Sequence, residues 1–360
     1  MDKFLVALIA VVAIASIVPA HGAAAYPLSV LTDVAIALLF FLHGAKLSRG
    51  AVLDGISAWR IHLAVLGATF VMLPILGLFA KGLADIWLPT TIGAGILLLC
   101  LMPSTVQSSI AFTAIARGNV PAAVCSAALS NVLGVVVTPV LVGLLLAQQG
   151  GEFSGSGILR IIAQLLLPFI AGHLVRPLIR TPLEHYKVLL ARFDRGVILL
   201  VVYTAFSAAV VEGLWRRYSV GDLAWTAAFD VAILALALIG TTAGARLFRF
   251  STADEITIVF CGSKKSLASG VPIIAALFPH ALVGPMILPL MLFHQMQLMA
   301  CAVLADRYAR RDAAAPDRED AARLGAIASG GASLGDAVEQ RDGYVQEAAE
   351  GAARDSWKEQ

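Results

Sequence analysis

Long apolar runs separated by short polar segments make up the first 305 residues of the chain. A membrane-crossing helix needs about 20 predominantly apolar residues. Ten runs come close to this length, at approximately 4–20, 28–44, 61–80, 91–116, 120–147, 157–176, 194–212, 225–246, 254–277 and 283–304. The fourth and ninth runs are the least uniform, because polar residues stand at their centres. The pattern predicts an all-α integral membrane protein with ten transmembrane helices.

Composition supports this prediction and excludes several classes of protein. Of the 360 residues, 59% are hydrophobic and only 14% are charged, whereas about 25% of the residues in soluble domains are charged. The mean hydropathy is +0.85. A soluble enzyme, a nucleic-acid-binding protein and a disordered protein are therefore excluded, and the expected surroundings are a lipid bilayer. No HExxH or Walker A motif is present, and no GxSxG or GxGxxG motif stands in the context of a strand, so we expect no enzymatic activity and no cofactor.

Charge divides the chain into two parts. Residues 1–305 contain 18 Lys and Arg against 12 Asp and Glu, whereas residues 306–360 contain 8 against 12. We therefore predict a transmembrane transporter domain over 1–305 and a polar cytoplasmic tail over 306–360, which its composition suggests is disordered or weakly helical. Four cysteines, each inside an apolar run and without CxxC spacing, are interpreted as small core residues.

The distribution of basic residues predicts the orientation in the membrane. The loops that follow even-numbered runs carry 11 Lys and Arg, and the loops on the opposite side carry four. Because basic loops stay in the cytoplasm, both termini should lie there, in a multi-pass protein of the cytoplasmic (inner) membrane. A competing interpretation of residues 4–18 is a cleaved signal peptide, although its first residues are nearly neutral.

The fourth and ninth spans correspond to each other in two halves of the chain. Each has a helix breaker and a polar cluster near its middle, and Pro103 and Gly262 are 159 residues apart. Repeat one covers about 4–147 and repeat two about 157–304. Because each repeat has five spans, the two must insert with opposite orientations, as in the inverted repeats of secondary transporters. Interrupted backbone is tolerated inside a membrane only where protein or a water-filled cavity supplies hydrogen bonds. The alternative is that both breakers merely kink packed helices.

Lys264 and Lys265 are the strongest chemical signal in the sequence. A central lysine costs about 2.5–3.5 kcal/mol on insertion scales, so each needs a cavity, a partner or a hydrated path. Both can reach one cavity only if the backbone is unwound, since neighbours on a helix diverge by about 100°. The sequence leaves open whether they bind an anion, carry protons or tie off carbonyl groups at the helix break.

Hydroxyl and amide groups of the fourth, fifth, ninth and tenth spans complete the candidate site. Such groups can bind Na⁺ or a polar substrate, or can simply hold helices together. His294 is a candidate for proton transfer or a neutral hydrogen-bonded residue. The complete set of candidates is Lys264, Lys265, Ser263, Ser266, Ser269, Gly262, Ser104, Thr105, Gln107, Ser108, Ser109, Ser130, Asn131, Thr138 and His294.

Two pairs of acidic residues in the spans have different expected positions and roles. Asp33 and Asp230 are expected near the outer ends of the second and eighth spans, at the interface or as lysine partners. Asp254 and Glu255 open the ninth span, where acidic residues suit a helix N-terminus.

Three segments resemble the sodium/bile acid symporter superfamily, and most closely its SBF-like branch of bacterial transporters, which has a vertebrate member. They are Pro-Ser-Thr-Val-Gln-Ser-Ser in the fourth span, Ser-Asn-Val-Leu-Gly followed by Thr-Pro in the fifth, and Phe-Cys-Gly-Ser-Lys-Lys-Ser-Leu-Ala-Ser-Gly-Val-Pro in the ninth. The resemblance covers about residues 4–305. It implies a core of spans 3–5 and 8–10, in which discontinuous spans 4 and 9 cross, and a panel of spans 1, 2, 6 and 7 that moves against the core.

One departure from the superfamily pattern concerns the coupling ion. The bile acid carriers have Glu-x-Gly-x-Gln-Asn in the ninth span, where Glu and Gln bind sodium. Alignment on Gly262 puts Phe260, Lys264 and Lys265 at the Glu, Gln and Asn positions. An ammonium group could occupy the place of a bound cation there. A second possible Na⁺ site would use Ser108, Ser109, Ser130 and Asn131.

These observations predict a secondary active transporter, most simply a symporter, that moves a small organic anion by alternating access with Na⁺ or H⁺ as the coupling ion. The alternative is a membrane regulator or scaffold of the same fold that does not transport and works through the tail. Deletion of residues 313–360 separates the two, because a transporter should keep its flux. The substrate, the choice of ion and the oligomeric state are left open.

Overall fold

The computed structural model of the chain describes residues 3–46, 58–146 and 155–330, and every regular element within them is helical. The helices are α1 (Lys3–Ile17), α2 (Ala25–Lys46), α3 (Trp59–Gly67), α4 (Leu73–Ala84), α5 (Thr90–Leu101), α6 (Gln107–Ile115), α7 (Val120–Leu146), α8 (Gly155–His185), α9 (Lys187–Val211), α10 (Leu214–Arg217), α11 (Val220–Leu247), α12 (Thr252–Gly262), α13 (Leu267–Leu277) and α14 (His280–Gly330). A 3₁₀ turn, Gly22–Ala24, precedes α2, and a π-helical segment, Ala68–Met72, joins α3 to α4.

Length and apolar composition make this a multi-pass membrane protein. Seven helical stretches of the described residues are long and apolar enough to cross a membrane, and three shorter apolar helices accompany them, at Val6–Ile17, Thr90–Leu101 and Leu165–Ile179. A helix, or a pair of consecutive helices, lies in each of the ten apolar runs. The all-helical class is therefore confirmed, while the count of ten spans stays a prediction.

The fourth and ninth runs are each two helices rather than one. In the fourth run α5 ends at Leu101 and α6 begins at Gln107, and in the ninth run α12 ends at Gly262 and α13 begins at Leu267. Met102 adopts an extended backbone conformation after α5, with ψ of 152°. Pro103 follows directly, and proline disfavours helical backbone in the residue before it. The first break therefore has a local cause in the sequence.

The third run contains an irregularity that the apolar pattern does not reveal. The π-helical segment Ala68–Met72 stands between α3 and α4, and Pro74 is one of the first two residues of α4. Proline lacks an N–H group and crowds the carbonyl group four residues earlier, which here belongs to Phe70. Single π-helical turns are often found at functional sites.

Two sets of helix contacts position the site, and α7 on α8 and α9 on α13 join the two sets. The helices of the first, second, sixth and seventh runs contact one another: α1 packs on α9, and α2 packs on both α8 and α9. Close approach of α2 and α8 depends on two glycines, because a Cβ at Gly44 or Gly172 would lie only 1.9 or 1.8 Å from a backbone oxygen of the other helix. In the second set α12 packs on α3, α6, α7 and α11.

The chain divides into two compact units, Met1–Asp306 and Arg307–Gln360. Residues 307–330 are helical, as part of α14. Residues 331–360, which the sequence predicts to be tail, lie outside the described residues. The domain boundary near residue 305 and the disorder of the tail stay predictions.

Candidate functional site

The two breaks meet in the interior of the first unit. The backbone N–H of Ser266 donates to the carbonyl oxygen of Pro103 at 2.9 Å. In return, Ser104 Oγ donates to the carbonyl oxygen of Cys261 at 2.5 Å, and Ser109 Oγ donates to that of Phe260 at 2.8 Å. The interrupted backbone of each run is therefore partly satisfied by the other run, as buried polar backbone requires.

Serine caps shape the second break. Ser263 follows α12, and its Oγ donates to the carbonyl oxygen of Val259 at 2.6 Å. Ser266 is the N-cap of α13, and its Oγ accepts from the backbone N–H of Ser269 at 3.1 Å. A serine N-cap typically contributes about 1 kcal/mol. The two serines therefore act first as local supports for the unwound stretch that carries the lysines.

A hydroxyl and amide cluster joins α7 to the first break. Ser130 Oγ accepts from the backbone N–H of Ser104 at 3.0 Å, and Asn131 Nδ2 donates to the carbonyl oxygen of Ser104 at 2.7 Å. Ser269 Oγ donates to Asn131 Oδ1 at 2.6 Å, which ties in the second break. Thr138 Oγ1 donates to the carbonyl oxygen of Leu101 at the end of α5, at 2.9 Å.

A second hydroxyl group lies at the start of α6. Ser108 Oγ donates to Thr105 Oγ1 at 2.9 Å, and Thr105 Oγ1 and Ser109 Oγ share a hydrogen bond of 2.8 Å. The four residues of the predicted second Na⁺ site are thus divided between two hydrogen-bonded groups: Ser108 and Ser109 in this one, Ser130 and Asn131 in the cluster with α7.

The ammonium group of Lys265 is held by backbone carbonyl groups. Lys265 Nζ donates to the carbonyl oxygen of Met102, just beyond the end of α5, at 2.7 Å, and to that of Thr69, in the π-helical segment, at 3.0 Å. The residue is completely buried. Its positive charge lies beside carbonyl groups that have no hydrogen-bond partner within their own helix, one at a helix end and one in a π-helical turn. The helix dipole favours a cation at such a position.

Gln297 of α14 holds the backbone of Lys265 on both sides. Its Oε1 accepts from the backbone N–H of Lys265 at 2.8 Å, and its Nε2 donates to the carbonyl oxygen of Lys265 at 2.8 Å. The same amide lies 2.9 Å from His294 Nδ1. His294 therefore belongs to the site through Gln297.

Lys264 has very different surroundings. The residue is also completely buried, yet its Nζ makes no hydrogen bond to any described residue. The ammonium group lies 4.2 Å from the centre of the Phe112 ring on α6. Such a contact stabilises a cation by about 0.5–2 kcal/mol, which is less than the cost of burying an isolated charge.

Two of the predicted residues contribute differently from the expectation. Gln107 is exposed at the first position of α6. Gly262 provides space: a Cβ there would lie 3.0 Å from Ala68 Cβ in the π-helical segment and 3.2 Å from the Thr241 side chain. The glycine therefore lets α12 approach the segment that supplies the Thr69 carbonyl.

Several participants do not appear among the candidates from the sequence. Nothing in the sequence identifies the carbonyl groups of Thr69 and Met102 as acceptors for an ammonium group. Pro74 and Pro103 mark only the helix distortions near which these carbonyl groups lie. Phe112 looks like any core aromatic residue. These contributions depend on which helices cross, and a sequence pattern along one helix does not contain that information.

The acidic residues are arranged as follows. Asp33 is exposed on α2, whereas Asp230 on α11 is completely buried and forms no ion pair in the described part of the chain. Glu255 accepts two hydrogen bonds from Arg246, at 3.0 and 3.1 Å, which joins α12 to α11. Asp254 accepts from Asn119 Nδ2 at 2.9 Å.

Comparison with known proteins supplies the family. A family model described as the SBF-like CPA transporter family matches residues 2–310. The chain belongs to this family. The predicted resemblance to the SBF-like branch is thereby confirmed.

Relatives of this family span nearly the whole chain. A Pseudomonas aeruginosa protein named as uncharacterized is 54% identical, over 89% of this chain and 95% of its own. An Escherichia coli K12 protein named "Putative symporter YfeH" is 49% identical, over 86% of this chain and 94% of its own. The sodium/bile acid cotransporter 7-A of Xenopus laevis is 27% identical, over 84% of this chain and 90% of its own. The family is described as a transporter family, and two of these relatives are named as a putative symporter and a cotransporter, which agrees with the prediction that the chain is not an enzyme.

Proposed function

We propose that the protein is a secondary active transporter, working as a symporter, that moves a small organic anion across the membrane by alternating access. Membership of a transporter family and the relatives' names support transport in general. The nature of the substrate is argued from the site.

The observation that carries the proposal is the unpaired ammonium group of Lys264. It is buried beside the crossing of two interrupted helices, lies against an aromatic ring and makes no hydrogen bond within the described residues. A carboxylate or similar anion would supply the missing charge and hydrogen bonds. The N-termini of α6 and α13 begin at the two breaks, and helix N-termini favour negative charge.

Lys265 has a different role in this proposal. Its ammonium group is already occupied by the Thr69 and Met102 carbonyl oxygens, so it serves as a fixed cation that holds the two distorted segments together. The substrate is bound through Lys264, while Lys265 keeps the crossing in place.

The coupling ion is Na⁺ or H⁺. Ser108, Ser109, Ser130 and Asn131 offer hydroxyl and amide oxygens for Na⁺, and a change of conformation would be needed to bring the two hydrogen-bonded groups to one ion. Thermal unfolding in NaCl and in choline chloride, at equal ionic strength and pH, separates the two ions. Stabilisation by Na⁺ alone supports a sodium site, because an ion that binds only the folded state raises its melting temperature.

The proposed architecture is ten spans in two inverted five-helix repeats, with both termini in the cytoplasm of a bacterial cell and the protein in its inner membrane. The transmembrane transporter domain over 1–305 comprises a core and a panel and is followed by a cytoplasmic tail over 306–360. Support comes from the matching breaks in the fourth and ninth runs and from the bias of basic loops. Reporter fusions after residue 311 and within residues 82–89 test the orientation, since only the first should report a cytoplasmic location.

The direct test of the anion site uses purified protein in proteoliposomes. Uptake of radiolabelled taurocholate and of a panel of small mono- and dicarboxylates is measured for wild type, Lys264→Gln and Lys46→Gln. Lys46 is a matched control, because its ammonium group is paired with Asp194 at 2.7 Å and is partly exposed. Loss of uptake in Lys264→Gln alone supports the proposal. Equal uptake and ion dependence in all three proteins would remove Lys264 from the mechanism.

A further inference from the structure

Asp230 is a buried acidic residue that the proposed anion site does not use. It lies about three turns inside α11, within an apolar helix, and its side chain is completely buried. Neither carboxyl oxygen makes a hydrogen bond of ordinary geometry to a described residue. A buried polar group in this condition needs an explanation, since most such groups have partners.

The surroundings of Asp230 connect it to the crossing. On α5 it interacts electrostatically with the Cys100 thiol, which in turn interacts with Lys265. Cys100 is two residues before Met102, whose carbonyl group binds the Lys265 ammonium group. Helix α11 also packs on α12, which ends at the second break. Asp230 therefore lies on a helix that packs against both interrupted runs.

Charged groups on the neighbouring helices are otherwise engaged. Lys81 on α4 is paired with Asp85, and Glu255 on α12 is paired with Arg246 of α11 itself. Asp254 lies at the opposite end of α12 from the break. Helix α5 contains no charged residue. At the crossing, Lys265 binds two carbonyl oxygens and Lys264 lies against the Phe112 ring, so Asp230 forms no ion pair within the described residues.

We propose that Asp230 is a proton-binding site whose protonation is coupled to the crossing of the two broken helices. An ionised carboxylate in these surroundings would need a cation or hydrogen-bond donors, whereas a carboxylic acid that keeps its proton does not. A metal cation is less suitable than a proton, because it requires several oxygen ligands and the described residues contain no cluster of three or more His, Cys, Asp or Glu side chains that could hold one.

The transport consequence rests on the proposed function. In a symporter, release of the proton from Asp230 when the cavity opens to water would place a negative charge on a helix that packs against both interrupted runs, and would so alter the contacts that hold the two breaks. The proton is bound and released at the carboxyl oxygen, and no other bond is made or broken. Lys264 remains free for the anion throughout.

The first experiment detects the proton directly by infrared spectroscopy of the full-length protein in lipid nanodiscs. Wild type should show the carbonyl band of a protonated carboxylic acid at neutral pH, and Asp230→Asn should lack it. Asp230→Glu should keep an acid band, and Asp33→Asn, which changes an exposed residue of the same type, should leave the spectrum unchanged. An identical acid region in wild type and Asp230→Asn, at every pH where both are folded, would overturn the assignment.

The second experiment tests the coupling by hydrogen–deuterium exchange of the segments around 102–106 and 263–266. After correction for the intrinsic pH dependence of exchange, wild type and Asp33→Asn should exchange faster at high pH, and Asp230→Asn should not respond. The same response in Asp230→Asn would contradict coupling through this residue. Neither readout needs a substrate, and Lys264→Gln should retain both signals, so failure of the anion site and failure of this inference are distinguishable.

Discussion

The two adjacent lysines occupy contrasting regions of one site. Lys265 points between α5 and the π-helical segment, where two carbonyl oxygens accept hydrogen bonds from its ammonium group. Lys264 points toward α6, where its ammonium group lies against the face of Phe112 and makes no hydrogen bond to the described residues. The protein supplies hydrogen-bond acceptors for the ammonium group of Lys265, whereas the ammonium group of Lys264 has no acceptor among the described residues.

The difference arises from the unwound backbone between α12 and α13. Ser263 is near the helical region, with ψ of −15°, and Ser266 is extended, with ψ of 113°. A chain that changes conformation over so few residues can aim neighbouring side chains at different helices. The comparison teaches that, of two adjacent identical residues, one can be a structural cation and the other a binding group. The following variants test this division of roles, in order of decreasing effect on stability.

The largest effect is expected for Lys265→Gln. The substitution removes the charge-assisted donors of two buried carbonyl groups, and each unsatisfied buried group costs about 1–3 kcal/mol. We expect a loss of about 3 kcal/mol or more in the free energy of unfolding, measured by thermal or denaturant unfolding in detergent. Lys46→Gln is the control.

A companion variant, Lys265→Ala, sharpens the same prediction. Its truncated side chain should leave room beside the two carbonyl groups for a small ammonium ion. Methylammonium chloride should then raise its melting temperature more than tetramethylammonium chloride, which has no N–H donor. Equal responses to both salts would show that Lys265 is not a hydrogen-bonded cation.

A smaller loss is expected for Gln297→Leu. The side chain makes two hydrogen bonds of 2.8 Å to the backbone of Lys265, and its removal leaves a buried N–H and a buried carbonyl group. The expected loss is about 2 kcal/mol. Gln295→Leu, two positions earlier on α14, is a matched control and should lose clearly less. Unchanged unfolding in Gln297→Leu would show that the amide clamp does not stabilise the break.

A still smaller loss in the free energy of unfolding is expected for Ser104→Ala. Its Oγ donates to the carbonyl oxygen of Cys261 across the crossing at 2.5 Å, and loss of one such hydrogen bond costs about 1–2 kcal/mol. Ser108→Ala, which affects a hydroxyl bonded only within the first break, should lose less. If both variants unfold alike, the contact between the breaks contributes no more than the contacts within one of them.

The smallest effect on stability is expected for Lys264→Gln. The variant loses a cation–π contact of about 0.5–2 kcal/mol but also relieves a buried unpaired charge, so its unfolding should differ from wild type by about 1 kcal/mol or less. Its response to anions in thermal-shift measurements should nevertheless disappear. A large loss of stability would contradict the division of roles between the two lysines.

Several features of the site were predictable from residues along the chain. Pro103 and Gly262 marked the two breaks, because proline and glycine interrupt helices within apolar runs for local reasons. Two lysines inside such a run required partners, since water is absent from the bilayer core. The hydroxyl residues around both breaks were identified in the same way, and most of them take part in the observed networks.

Other features could not be obtained in that way. The exposed Gln107 belongs to the same polar cluster in the sequence as the buried Ser109, and only the path of α6 separates them. Asp230 was expected near a membrane interface, yet it is buried beside Cys100 because α11 packs on α4 and α5. The sequence also did not reveal which of Lys264 and Lys265 is the structural cation and which is the binding group.

The sequence by itself determined the membrane environment, the helical class, the positions of the helix breaks and the family. These properties follow from local quantities: hydropathy over about 20 residues, the restricted backbone of proline and the identity of short motifs. Only the tertiary structure decided which carbonyl groups face which ammonium group, and which charge is left unpaired. Those contacts join residues about 160 to 200 positions apart in the chain, and they depend on how helices cross rather than on how each helix begins, ends or alternates.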